Sequence, residues 1–373
     1  MRASMRSLGP AINDLALGRP VLITHGRGGE ESAEVVMAGA LAEPSWTAWT
    51  IRHTSGFLCA AMRSSRADAL DLPPMVAPGR QEPDTPVFGV GVDAVGVGTG
   101  ISAIDRAHTA RVLSNPAARP DDLLRPGHVV PIRTAEQGVV ARHAPAEAAI
   151  DLCDIAGLAP LALTATLLDQ SSGRLLMGTE LSVFVDDHRL ALVAVDDVVH
   201  HRIHFGNGYT GRIRPVAERH ADIGNKSTLV VDFDDEVTGA QHTVLVRASS
   251  PRRVPSVYVV NECSHRDPMG PHCGCRARFD TYRARVAANG GMLIYLRKSS
   301  SGTTRYTVAD HELARGCITA TMRYFGFDSA RVVGWPDGTG TGTYLILHLP
   351  SADSGSGPDS AAAVTNNVVG QSN

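Results

Sequence analysis

Three cysteines in the string NECSHRDPMGPHCGC, spaced Cys263-x9-Cys273-x-Cys275, constrain this chain more than any other feature. Thiolates are soft ligands, and three that converge on one point read as a Zn²⁺ site with a fourth position open. A structural zinc site usually closes with four protein ligands, whereas a catalytic one keeps a position for water. His265 or His272 would close the shell, and three reduced thiols that bind nothing are the plain alternative. A Cys-x-Cys pair around Gly274 makes chance clustering the weaker explanation.

At 373 residues the chain is long enough for two domains of ordinary size. Hydrophobic residues make up 43% and charged residues 20%, the balance of a globular protein in water. A net charge of −3 gives no general attraction to nucleic acid or to a membrane surface. Cys59, Cys153 and Cys317 stand alone, so there is no secreted disulfide framework and a reducing compartment fits. The N-terminal string MRASMRSLGPAINDLALG lacks the continuous apolar core of a signal peptide. No uncharged apolar run is long enough to span a bilayer. The expectation is a soluble, cytoplasmic protein with neither nucleic-acid nor membrane partners.

Apolar periodicity divides the chain. Residues 10–17 read as a short amphipathic helix leading into the strand of GRPVLIT. VFGVGVDA (87–94) and HRLALVAV (188–195) read as strands, and AAIDLCDIAG (148–157) as a helix. Repeated switching between the two periods up to residue 202 predicts an α/β or α+β domain. Residues 203–222 carry Gly, Pro and mixed charge without clear period, and read as a linker. Residues 223–349 hold the strands STLVVDFD, HTVLVRAS, SVYVVN and GMLIYLR, the thiolate cluster and the helix RFDTYRARVAANG. The small, polar tail 350–373 is expected to be disordered.

Two strings, GTGISAIDRAHTARVL (98–113) and RPGHVVPIR (125–133), are hard to explain as generic loops. With GRPVLIT, TIRHTSGFLCAAM (50–62) and GVVARHAPAEAAIDLCDIAGLAP, they make residues 10–202 resemble 3,4-dihydroxy-2-butanone 4-phosphate synthase. VNECSHRDPMGPHCGC, the helix after it and GGMLIYLR resemble GTP cyclohydrolase II. The resemblance implies an α+β fold, with a synthase-type α/β sandwich followed by a shortened cyclohydrolase-type α/β domain. Bacteria carry the two domains fused in this order. It further implies conversion of ribulose 5-phosphate to a four-carbon phosphate plus formate with Mg²⁺, and a three-cysteine Zn²⁺ that opens the imidazole ring of GTP. A homodimer with sites near the subunit boundary is the implied assembly.

The family's acidic loop, Asp-Asp-Glu-x-Arg-Glu-x-Glu-Gly-Asp, aligns with residues 25–34. Glu30 lands on the magnesium-binding glutamate, and Glu34 offers a carboxylate where the family has aspartate. Gly29 and Ser32 replace the loop's arginine and second glutamate. The later Gly-Gly-His-Thr-Glu motif aligns with His143-Ala144-Pro145-Ala146-Glu147, so proline stands at the metal-ligating histidine. Thr166 stands where a catalytic glutamate is expected. Proline has no donor atom, and threonine is no general base near neutral pH. His143 substitutes as ligand only if its loop is rebuilt.

By resemblance, Thr99, Asp105, Arg106, Thr109, Arg125, Arg142 and Glu147 are substrate contacts, with Arg142 on the phosphate. His128 joins Glu30 and Glu34 as a proton-transfer candidate. Asp105 and Arg106 also fit a helix-terminal cap and ion pair. In the second half Cys263, Cys273 and Cys275 match the zinc ligands, but Tyr258 and Val260 replace an arginine and a histidine. KSSSGTT (298–304) replaces the phosphate-gripping Gln-Glu-Gly-Arg-Gly-Ile-Gly loop, and Arg297 keeps positive charge beside it. Ring opening of GTP is therefore not expected, and the zinc fits a structural role as well as a catalytic one. Three readings stay open: a divergent enzyme acting on a phosphorylated small molecule, a conventional riboflavin-pathway enzyme, and a non-catalytic binding protein that pairs with an active homologue.

Overall fold

A computed structural model of the chain describes residues 8–26, 31–77, 80, 85–206, 211–248, 254–262, 274–297, 308–334 and 344–349. It divides into two compact units that change over between residues 202 and 210. In the first, the order is α1 (Gly9–Ala16), β1 (Val21–His25), β2 (Ser32–Ala38), α2 (Pro44–His53), β3 (Cys59–Arg63), α3 (Ser64–Ala69), β4 (Val87–Phe88) and β5 (Val92–Ala94). There follow α4 (Ala103–Ser114), β6 (Leu123–Thr134), α5 (Pro145–Ile155), β7 (Leu161–Thr166), α6 (Gly178–His188), β8 (Leu192–Ala194) and α7 (Val195–Phe205).

The strands form a mixed sheet in the order β4-β6-β3-β7-β2-β1-β8, with β5 on β6. β2 and β7 are buried along nearly their whole length, so they show no polar alternation. On one face Val21, Ile23 and Val36 pack against Leu15 of α1 and Leu152 of α5. On the other, Met37, Met62 and Leu163 pack against Ala107 and Ala110 of α4. Successive strand residues point to opposite faces, so a sheet covered twice needs apolar residues at both parities. The expected α/β sandwich is the result.

Glycines shape the region that carries His128. The single strand expected over residues 87–94 is two, β4 and β5, split at Gly89-Val90-Gly91. At Gly127 a Cβ would lie 2.0 Å from the carbonyl carbon of Val92, so β5 and β6 approach closer than any side chain allows. Likewise HRLALVAV is only partly a strand: α6 runs to His188, Arg189 takes a left-handed φ of 52°, and β8 begins at Leu192.

The second unit holds β9 (Ile213–Ile223), β10 (Lys226–Asp235), β11 (Gln241–Arg247), β12 (Ser256–Asn261), α8 (Cys275–Asn289), β13 (Gly291–Leu296), α9 (Val308–Tyr324), β14 (Ser329–Val333) and β15 (Tyr344–His348). Its sheet order is β15-β14-β12-β13-β11-β10-β9. Val244 and Ile294 pack against Ile318 of α9, and Leu245 and Leu293 pack against Val286 of α8, one on each face. The stretch 203–222, expected as a linker, is folded instead: residues 203–205 finish α7 and residues 213–222 belong to β9, paired antiparallel with β10. β9 is an edge strand whose only buried residue is Ile213, so it has no apolar period to read. Residues 350–373 lie outside the described residues. Among those described, no helix is long and apolar enough to cross a membrane.

Candidate functional site

Strand register brings one end of the first sheet into focus. Val130 on β6 pairs with Cys59 on β3, Cys59 with Thr164 on β7, and Thr164 with Val36 on β2. Two residues further along the same end come His128, Thr166 and Glu34, with Thr166 and Glu34 directly paired. Ala146 and Ile150 of α5 pack with Cys59 and Ile132, which sets the first turn of α5 over this region. Pro145 occupies that turn, and the cap residue Ala144 offers no side-chain hydrogen bond. Pro at this point suits a helix start, because its missing N–H has no partner to lose. It also leaves the turn without a metal donor.

Glu34 is the group whose chemistry is most altered. Burial pushes its carboxyl up from 4.5 to about 7. Its Oε1 lies 3.9 Å from His25 Nε2, which in turn is 3.2 Å from Ser32 Oγ. Burial also lowers His25, so the nearest imidazole favours its neutral form and gives Glu34 little charge compensation. Cys59 is a residue that sequence reasoning left aside as an isolated thiol. Burial, then the charge of Glu34, pushes that thiol up to about 12, so it is a protonated neighbour and not a nucleophile.

His128 is held by Asp93 at the end of the glycine-bounded segment. Its backbone N–H donates to Asp93 Oδ1 at 2.9 Å, and its Nδ1 lies 2.8 Å from Asp93 Oδ2. The Asp93 side chain is buried while the imidazole is partly exposed. Arg106 is buried beside it and donates to the carbonyl of Gly56 at 2.7 Å; burial lowers its proton affinity and the Asp93 charge partly restores it. Asp93 was not anticipated. The signal was present: an acid in the otherwise apolar run VFGVGVDA.

Several expected contacts have other employment. Arg125 donates to the carbonyls of Leu70 (2.6 Å), Pro120 and Leu123 (both 3.2 Å), and so ties β6 to the chain before β4. Thr109 is buried, donating to Asp105 O and accepting from Ala94 N. Asp105 accepts from Gly100 N at 3.2 Å and its own N–H donates to the cap residue Ser102, so Asp105 sits at the helix terminus, while Arg106 turns to the Gly56 carbonyl and the charge of Asp93. Thr99 is exposed ahead of α4. Glu147, expected to touch substrate, is fully buried instead. Its Oε1 accepts from Ala135 N and lies 3.6 Å from Arg142 Nη1, while Oε2 has no partner among the described residues. Burial raises its carboxyl against the pull of Arg142. Glu147 is thus a support for Arg142, which itself is half-buried.

Neither metal centre assembles among the described residues. Glu30, Cys263 and Cys273 lie outside them, and Cys275 is described only as the first residue of α8. Pro145 has no donor, and His143 Nε2 turns to Asp196 at 3.0 Å. No three His, Cys, Asp or Glu side chains converge among the described residues of the first unit. Pro145 and the turned-away His143 leave the described part of the site without the histidine ligand that the resemblance assigns to magnesium.

In the second unit Asp235, His242 and Cys317 do bring ligand atoms within 4.8 Å of one another. Arg212, fully buried, takes both Asp235 oxygens at 3.1 and 2.8 Å. The backbone N–H of Arg297 donates to His242 Nδ1 at 3.1 Å, which places the ring hydrogen on Nε2, the atom facing Asp235. A metal needs that nitrogen bare. The cluster is an ion-paired core. Arg297, expected at a phosphate, donates its Nη2 to Thr243 Oγ1 at 3.0 Å.

Residues 10–201 match the profile of the 3,4-dihydroxy-2-butanone 4-phosphate synthase family. The chain belongs to that family. Riboflavin biosynthesis protein RibBA of Salinispora tropica is 35% identical over 291 residues, covering 77% of this chain and 71% of that protein. RibBA of Rhodococcus jostii is 34% identical over 304 residues, covering 78% and 71%. RibBX of A. baumannii, described as a two-domain 3,4-dihydroxy-2-butanone 4-phosphate synthase, superposes with a TM-score of 0.59 over 88% of this chain and 94% of its own. At 21% identity that likeness shows the fold. A family member solved with two magnesium ions is 31% identical, with a TM-score of 0.50, over 54% of this chain and 99% of that one. The chain is thus a synthase-family domain fused to a second domain in the position of GTP cyclohydrolase II, as in the RibBA proteins.

Proposed function

We propose that the first unit enolises a phosphorylated ketopentose, ribulose 5-phosphate or a close relative, with Glu34 as the proton-transfer group. The observation that carries this reading is the Glu34 carboxyl, raised to about 7 at the end of the sheet that also bears Thr166, Cys59 and the α5 N-terminus. A general base is most useful when its pKa lies near the working pH, because availability and strength are then balanced. Glu34 takes a proton from the carbon beside the ketone, leaving the enediolate, and the carboxylic acid exchanges that proton with solvent before carbon is reprotonated. Arg142, braced by Glu147, supplies the positive charge for the phosphate. The names of the RibBA relatives and the family profile support a place in riboflavin-type metabolism.

His128 belongs to the same chemistry but not to the same position. β6 and β2 are three strand spacings apart, so His128 and Glu34 of one chain stand about 14 Å from each other. They meet in one pocket if a second copy contributes one of them. Val95, Ile101, Ile104 and Leu124 are exposed around the β5–β6 segment and the start of α4, an apolar area suited to such a copy. The proposed assembly is a homodimer with shared sites.

Deuterium exchange tests the reading. In D₂O with ribulose 5-phosphate, the protons beside the ketone should be lost by NMR, with formate as a second readout of the full reaction. Ligand-dependent melting without exchange would favour the binding-protein reading, for which Pro145 and Thr166 speak. For the second unit we propose that Cys263, Cys273 and Cys275 hold a zinc; equal metal content in wild type and Cys273→Ser would remove that assignment.

A further inference from the structure

We infer that Asp93 is a positioning residue that fixes His128 as the Nδ1–H tautomer and leaves Nε2 as its working nitrogen; this rests on the reading of His128 given above. Both oxygens of Asp93 face donors. Oδ1 accepts the His128 backbone N–H and Oδ2 faces ring Nδ1, so main chain and side chain of one residue are held by one carboxylate. An ionised carboxylate only accepts, and the ring nitrogen facing it must carry hydrogen. Nε2 is then bare, on an imidazole that is 41% exposed while Asp93 is 8% exposed.

The fold is built around this pair. Asp93 sits where the β5–β6 register shifts, between Val92 and Asp93. Gly100, at φ +81°, would place a Cβ 2.0 Å from Asp93 Oδ2, so only glycine leaves room for the carboxylate. Arg106 lies close enough for its proton affinity to feel the Asp93 charge, which keeps a buried anion from standing alone. With Nδ1–H held, Nε2 accepts a proton from the substrate. The resulting imidazolium is stabilised by Asp93, exchanges its proton with solvent at the partly exposed ring, and then protonates the enediolate.

Asp93→Asn separates positioning from packing. The amide oxygen keeps the bond from the His128 backbone N–H, which turns the NH₂ group towards Nδ1 and forces hydrogen onto Nε2. Nitrogen-15 NMR of the histidine-labelled full chain, with His128 assigned by His128→Asn, reads the tautomer directly. The expected result is Nδ1–H in wild type and Nε2–H in Asp93→Asn. In the deuterium-exchange assay the same variant should lose about 10²–10⁴-fold in kcat, with KM little changed. Nε2–H in wild type overturns the inference, and that spectrum decides even if the variant does not fold. An unchanged tautomer in a folded Asp93→Asn overturns it too. Absence of exchange by wild type would sink the enolisation reading and leave the tautomer result standing.

Discussion

Glu34 shows how one buried carboxyl makes stability depend on pH. In the unfolded chain it titrates near 4.5, and in the fold near 7, so between these values the native state holds a proton that the unfolded state has released. Stability therefore falls as pH rises through this window and levels off above it. The full difference is about 3 kcal/mol. Glu34→Gln removes the titration, so urea unfolding at pH 8 should show the variant more stable by up to about 3 kcal/mol, with no gain at pH 4. A variant equally stable or less stable at pH 8 would show that the burial is compensated. Exchange activity of the wild type should rise with pH through about 7, since the base acts deprotonated. In the second unit the sign reverses: Arg212 holds Asp235 well below the usual carboxylate range, although burial opposes it. Asp235→Ala, which strands a buried guanidinium, should cost about 3–5 kcal/mol by the same unfolding measurement.

At the level of elements, the β5–β6 segment is the most demanding piece of the first unit. Gly127→Ala drives a methyl group into the Val92 backbone and should cost about 1–3 kcal/mol, with a matching fall in melting temperature. It should also disturb the His128–Asp93 pair, because the collision falls one residue from each. An alanine variant with unchanged melting would mean that the strands separate without penalty. Strands with strong apolar content, such as β1, β10, β12 and β13, were legible in the sequence because burial needs little beyond their composition. β9 was not, since ten of its eleven residues are exposed or only partly buried and what fixes it is pairing with β10. Motif positions pointed to Glu34 and His128 as candidates, and the strand register sets both at the same end of the first sheet. Motif positions alone did not separate Arg142 from Arg125, whose guanidinium is committed to carbonyls that only the fold brings near. Nor did they reveal that Glu147 is buried beneath the arginine that it supports.

For the whole molecule, the separation of Glu34 from His128 makes a sharp demand. If each pocket takes one residue from each copy, refolding Glu34→Gln together with His128→Ala yields mixed dimers with one intact pocket. Random pairing then restores about a quarter of wild-type exchange, whereas either variant alone stays inactive. A mixture as inactive as its components would place both residues in one chain's pocket or remove one from the chemistry. The second unit carries an ion-paired core, and metal content tests the zinc proposed for its thiolates. Enolisation by Glu34 is read most plainly by proton NMR of ribulose 5-phosphate in D₂O with the wild-type chain and with Glu34→Gln. Wild type should remove the signal beside the ketone, and the variant should do so about 10²–10⁴-fold more slowly. Equal exchange by the two proteins, or none by wild type, would contradict that role of Glu34.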